Sequence, residues 1–332
     1  MKCVGIPLLL LMTFLLAACT SLSNPLQLQP TDTNVAQKAT NAPQVSSATV
    51  TATERSLTAE STLTPAKNKT VKAFPSATIM ARLQPKDWQK WPVVPQLSET
   101  MRQVYQNGLS RGNNPAAFMK VGDCESTPTW FLGDFDDPQY QIATEYAQLQ
   151  PLLDHFHGSF GRTSVAAKSS FSAASVLSPF WADPKQCDKD ETPLDCELRI
   201  MNPSFALVTL GTNDAWDEVK FEKNLRQIIE RLLAAGVVPV LATKADNLEG
   251  DHAINTVIAR LAYEYDLPLW NFWSALQGLP DKGLQEDKAH LTWGPNRFDD
   301  AKVMKRAWPI RNLTALQVLQ AVWDATRAAG SQ

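Results

Sequence analysis

Three short stretches of this chain carry side chains whose chemistry is complementary. Gly122-Asp-Cys124 places a thiol just after an apolar run that ends near Met119. Leu210-Gly-Thr-Asn-Asp214 offers a side-chain amide at Asn213. Asp287-Lys-Ala-His290 offers a carboxylate and an imidazole. A nucleophile, a base, an acid to orient the base and an amide to meet a developing oxyanion are the parts of a hydrolase that works by nucleophilic attack. Each part also has a plainer explanation. A cysteine after a strand is commonly a small buried hydrophobe. Asn and Asp after a strand are commonly a turn, because both tolerate left-handed backbone. The order of the three, each at a strand end or just before the last helix, favours the catalytic assignment. Ser126, two residues along the same loop, is the weaker candidate nucleophile. His155, His157 and His252 lack such partners and read as surface residues. No metal-ligand spacing and no phosphate-cradling loop occurs, so no metal and no cofactor is expected.

The elements that must position these groups alternate. Ser98 is an N-cap for a helix through Met101, Val104 and Tyr105, closed by Gly108 and Gly112. Phe118–Gly122 is an apolar strand. A helical pattern runs from Ile142 to Phe156 with a break at Pro151. Ser164–Lys168 is a short second strand and Phe205–Leu210 a third. A helix on Phe221, Leu225, Ile228, Ile229 and Leu232 stops at Gly236. Val237–Thr243 is a strand, Asp251 caps a helix to Tyr265, and Leu267–Phe272 is a fifth strand. Thr314 with Gln317 forms a capping box for the last helix. Continuous apolar strands alternating with helices imply a mostly parallel five-stranded sheet in an α/β fold, covered on both faces. Ligands of such sheets sit beyond the carboxyl ends of the strands. Gly122-Asp-Cys124, Gly211-Thr-Asn213 and the loop bearing Asp287 and His290 all reach that edge.

At this point the pattern resembles the GDSL-type, or SGNH, hydrolase superfamily. Gly122-Asp-Cys124 matches its Gly-Asp-Ser block with Cys at the Ser position, Gly211-Thr-Asn213 its Asn block, and Asp287-Lys-Ala-His290 its Asp-x-x-His block. Ser169–Ser175 falls where the second block belongs, with Ala173 at the place of the glycine whose N–H enters the oxyanion hole. The resemblance spans roughly Phe118 to Thr292. It implies a flavodoxin-like three-layer sandwich and hydrolysis of esters. It assigns Cys124 as nucleophile, His290 as base, Asp287 as its orienting acid, Asn213 and the N–H groups of Cys124 and Ala173 as oxyanion donors, and Asp123 and Gly211 as loop-shaping residues. Cys for Ser keeps a nucleophile and changes its chemistry. Two outcomes stay open: a Cys hydrolase or acyltransferase, or a non-catalytic glycan-binding or envelope-scaffold protein that has kept the pocket.

The rest of the chain bounds the setting. It has 332 residues and a net charge of -3, which gives no reason to expect nucleic acid as a partner. Residues 1–18 read as an export signal, with Lys2 before an apolar run from Ile6 to Leu16. Leu16-Ala-Ala-Cys19 resembles a bacterial lipobox, which implies lipidation of Cys19 and a lipid anchor in a membrane. Residues 19–79 are rich in Ser, Thr, Ala and Pro and read as a disordered tether. The hydrolase-like domain is expected over 80–330. The chain is therefore expected outside the cytoplasm, on the outer face of the cell membrane or on an outer membrane if one is present. There a small-molecule or polysaccharide ester is the expected substrate. In that setting Cys187 and Cys196, nine residues apart, are expected to form a disulfide.

Overall fold

The computed structural model describes residues 83–327. The export signal, Cys19, the tether and the first residues expected of the domain lie outside them. The chain order is α1 (Glu99–Ser110), β1 (Asn114–Gly122), α2 (Gln150–His155), α3 (Pro193–Met201), β2 (Pro203–Thr209), α4 (Glu218–Ala234), β3 (Val238–Ala242), α5 (Ala253–Glu264), β4 (Leu269–Trp270), α6 (Phe272–Leu276) and α7 (Ala307–Arg327). The four strands are parallel and follow sequence order across the sheet. All of β3 and nearly all of β2 are buried, as a sheet covered on both faces requires. Gly122 pairs with Thr209, Val208 with Leu241 and Leu241 with Leu269. This register sets the carboxyl ends of β1, β2 and β3 side by side.

Local signals explain most boundaries. Ser98 caps α1 by accepting from Met101 N at 3.2 Å. The helix ends at Ser110, short of Gly112, whose φ is +93°. α4 buries Phe221, Leu225, Ile228, Ile229 and Leu232 and stops before Gly236.

Other boundaries differ from the sequence expectation. Ser164–Lys168 is not a strand; it makes a single parallel bridge from Ala167 to Gly122. Ser164 Oγ donates to Lys120 O at 2.7 Å and accepts from Ala166 N at 3.1 Å, which bends the segment into a turn. The sheet among the described residues therefore has four strands. β4 is two residues long, because the Asn271 side chain accepts from Ser274 N and starts α6 at Phe272. Pro151 lies in the first turn of α2, where its missing N–H costs nothing, so it opens a helix rather than breaking one. The last helix begins at Ala307, and Thr314 sits inside it, donating back to Ile310 O at 2.7 Å. The capping oxygen for α7 comes from afar: Thr292 Oγ1 accepts from Ala307 N at 2.9 Å. Cys187 and Cys196 are joined, with Cα atoms 5.2 Å apart, and tie the loop before α3 to that helix.

Candidate active site

Cys124 opens a single 3-10 turn, Cys124–Ser126, directly after β1. The Asp123 carboxylate, itself buried, accepts from Glu125 N at 3.0 Å and closes the turn. Gly122 is required beneath it, since a Cβ there would collide with the Ser126 and Thr209 hydroxyls. Ser126 is fully buried and bonds Thr209 Oγ1 at 2.5 Å, so it faces the sheet and is not the nucleophile. Cys124 is half-buried and is the free cysteine among the described residues. Burial raises its thiol pKa, and the charges of Asp123 and Glu125 raise it further.

The loop before α7 carries His290, the base expected from the sequence. Asp287 Oδ2 lies 2.6 Å from His290 Nδ1, and Asp287 Oδ1 accepts from the backbone N–H groups of Ala289 and His290, both at 3.0 Å. Those donors hold the Asp287 carboxyl down to about 2, the His290 backbone N–H contributing most. The hydrogen bond to Asp287 in turn raises His290. With Nδ1 committed to Asp287, Nε2 is the ring nitrogen left for proton exchange. Cys124 and His290 line one open cleft of about 350 Å³, together with Ser169, Trp130, Trp293 and Trp308. No hydrogen bond joins Cys124 Sγ to His290 among the described residues.

The expected oxyanion donors are arranged differently. Gly211, at φ +135°, turns the chain out of β2 into the short Thr212–Asp214 turn. Asn213 Nδ2 donates to Phe171 O at 2.9 Å, which leaves one amide hydrogen uncommitted. The N–H of the fully buried Ala173 donates to both carboxylate oxygens of Asp214, each at 3.1 Å. Neither Ala173 nor Asn213 lines the cleft shared by Cys124 and His290. Burial pushes the Asp214 carboxyl up to about 6 against the pull of the Ala173 N–H.

Several residues that pack around the cleft and its loops escaped the sequence reading. Asp214 lies inside the Leu210–Asp214 stretch, where it passes for a turn residue. Glu125, beside the thiol, pairs with Arg311 of α7 at 2.8 Å. Lys244 is buried between Asp246 and Glu249, at 2.5 and 2.6 Å, and Asp246 accepts from Thr212 Oγ1 at 2.7 Å. That cluster anchors the Gly211–Asp214 loop. A small cavity of about 20 Å³ lies between Asp123, Glu125, Lys244 and Arg311. His252 is not a surface ring; it packs against Trp88 and Trp273, at centroid distances of 5.8 and 5.5 Å.

No family model matches the sequence. Over 126 residues the chain is 29% identical to "Thioesterase 1/protease 1/lysophospholipase L1" of Escherichia coli strain K12, a match covering 36% of this chain and 58% of that protein. Among solved structures, a GDSL-like lipase from Bacteroides thetaiotaomicron is similar at a TM-score of 0.40 and 13% identity, covering 66% of this chain and 97% of the other. An acetylxylan esterase from Geobacillus stearothermophilus is similar at 0.36 and 13%, covering 62% and 95%.

Proposed function

We propose that this chain is an SGNH-like ester hydrolase that uses a cysteine nucleophile. The observation that carries the reading is one cleft lined by both Cys124 and a His290 already oriented by Asp287. In the reaction, Cys124 Sγ attacks the acyl carbonyl while His290 Nε2 takes the thiol proton. The tetrahedral intermediate collapses, the C–O bond breaks, and His290 returns the proton to the departing alcohol. Water then attacks the thioester, its proton going to His290, and the thiol leaves as the carboxylic acid is released. Asn213 keeps one uncommitted amide hydrogen, and reaches the oxyanion only if its side chain turns into the cleft, which it does not line. Ala173 serves as the second donor only after Asp214 gives up its N–H.

The substrate class we favour is an O-acylated carbohydrate. Trp130, Trp293 and Trp308 line the cleft, and Trp293 is strongly exposed beside His290. The exposed rings of Trp130 and Trp293, bordered by Ser169, Gln285 and His290, suit a sugar ring, apolar on its faces and polar at its rim. A long acyl chain would call for an enclosed aliphatic tunnel instead. The setting we propose is extracytoplasmic, with Cys19 lipidated and residues 19–79 serving as a tether to the membrane.

A second reading, a binding protein with a silent site, is favoured by the Ala173–Asp214 contact and by the raised thiol pKa. One experiment separates the two. Hydrolysis of p-nitrophenyl acetate and of acetylated xylo-oligosaccharides is measured for the wild type, Cys124→Ala and Cys124→Ser. Turnover that is lost in Cys124→Ala and retained in Cys124→Ser supports the hydrolase. No turnover by the wild type or by Cys124→Ser leaves the binding protein.

A further inference from the structure

Glu125 holds together three segments that are distant in sequence. It belongs to the nucleophile turn, immediately after Cys124. Its Oε1 accepts from the backbone N–H of Leu291, the residue after His290, at 3.3 Å. Its Oε2 accepts from Arg311 Nη1 of α7 at 2.8 Å. The pair is secluded: the Glu125 and Arg311 side chains are 15% and 5% exposed. The Arg311 guanidinium is enclosed by the rings of Phe131, Phe272 and Trp308, at 4.8, 5.3 and 5.5 Å. An arginine caged in this way cannot swing aside, so the carboxylate bound to it is fixed as well.

We propose that Glu125 is a positioning residue whose carboxylate, locked by Arg311, holds the His290 loop in register with the Cys124 turn. The inference rests on the catalytic assignment of Cys124 and His290. The short local pair can orient the His290 ring only relative to Asp287. It cannot set where the ring stands relative to a thiol more than 160 residues away in the chain. Glu125 supplies that link through one backbone hydrogen bond beside the imidazole. A residue acting in this way changes turnover and leaves substrate affinity nearly alone. Burial raises the Glu125 carboxyl to about 7, by more than the Arg311 charge lowers it.

The test compares Glu125→Ala with Glu125→Gln. Alanine leaves the Leu291 N–H and Arg311 without their acceptor, whereas glutamine keeps one acceptor oxygen and can serve Leu291 only by turning its NH2 toward the Arg311 guanidinium, donor against donor. Glu125→Ala is expected to lower kcat by about 10- to 100-fold with KM within about threefold of wild type, and Glu125→Gln to fall between alanine and wild type. Amide hydrogen exchange at Leu291, read by NMR, provides a measurement that needs no substrate. The Leu291 amide should exchange faster in Glu125→Ala than in wild type and at an intermediate rate in Glu125→Gln. If Glu125→Ala fails to fold, the glutamine variant alone still decides: a kcat that is kept or lost together with Leu291 protection supports the clamp, and a kcat that stays while protection is lost, or falls while protection stays, overturns it. Unchanged Leu291 exchange in a folded Glu125→Ala also overturns it. If the wild type turns over no ester but the exchange pattern holds, the clamp stands and only the hydrolase reading fails.

Discussion

At the residue scale the cleft pairs a thiol held back by its surroundings with an imidazole already oriented by a carboxylate. Burial, Asp123 and Glu125 all raise the Cys124 pKa. Alkylation of Cys124 by iodoacetamide should therefore reach half its limiting rate above pH 8.5, the ordinary thiol value of about 8.5 being the reference. A midpoint below that value would show a stabilised thiolate and refute the electrostatic account. The His290–Asp287 pair gives a second expectation. Asp287 raises the His290 pKa, so the imidazole stays protonated, and unable to act as base, to a higher pH. Asp287→Ala should move the acidic limb of the kcat/KM profile to lower pH while lowering kcat by about 10²- to 10⁴-fold. An acidic limb that stays in place would deny the coupling. The Asp-x-x-His pair was legible in the sequence because both partners lie within one turn of chain. Glu125 and Arg311 were not, because 186 residues separate them and neither has a local pattern that names the other.

At the element scale the same contrast recurs. β2, β3 and α4 announced themselves through apolar runs and helical spacing, since those patterns report burial directly. The Ser164–Lys168 segment carried a strand-like composition, yet one serine hydroxyl bonding its own backbone outweighed it. The start of α7 was misplaced because its cap is Thr292, fifteen residues upstream on the histidine loop. Thr292→Ala should cost about 1 kcal/mol of stability, read by chemical denaturation. Thr292→Ser, which keeps the capping oxygen, should restore most of that loss; Thr314→Ala is no control, because the Thr314 hydroxyl accepts from the buried Trp270 Nε1 at 3.2 Å. Gly122→Ala should be costlier, by about 1–3 kcal/mol, because the added methyl meets two hydroxyls packed between β1 and β2. A Gly122→Ala protein as stable as the wild type would mean that the nucleophile turn yields easily.

At the scale of the whole molecule, a four-stranded parallel sheet brings to one edge groups contributed by loops spread along the chain. The Cys187–Cys196 bridge staples one of the excursions from that sheet. Replacing both cysteines with alanine should lower stability by about 2–3 kcal/mol on the chain-entropy account, with ester turnover per folded molecule unchanged. Attachment is tested separately. Cys19→Ala should release the protein from the membrane fraction of the expressing cell, or leave it unprocessed. A processed variant that still sediments with membranes would end the lipid-anchor proposal.

The pairing of Cys187 with Cys196 also determines how the protein ages. Among the described residues it leaves Cys124 with no neighbouring thiol to trap a sulfenic acid as a disulfide. A raised thiol pKa slows the first oxidation, because little thiolate is present at neutral pH. Damage by peroxide should therefore accumulate slowly, and a small external thiol should repair it only until the sulfur reaches the sulfinic state. The age of a preparation, and the reductant stored with it, would then set its activity as much as its concentration does.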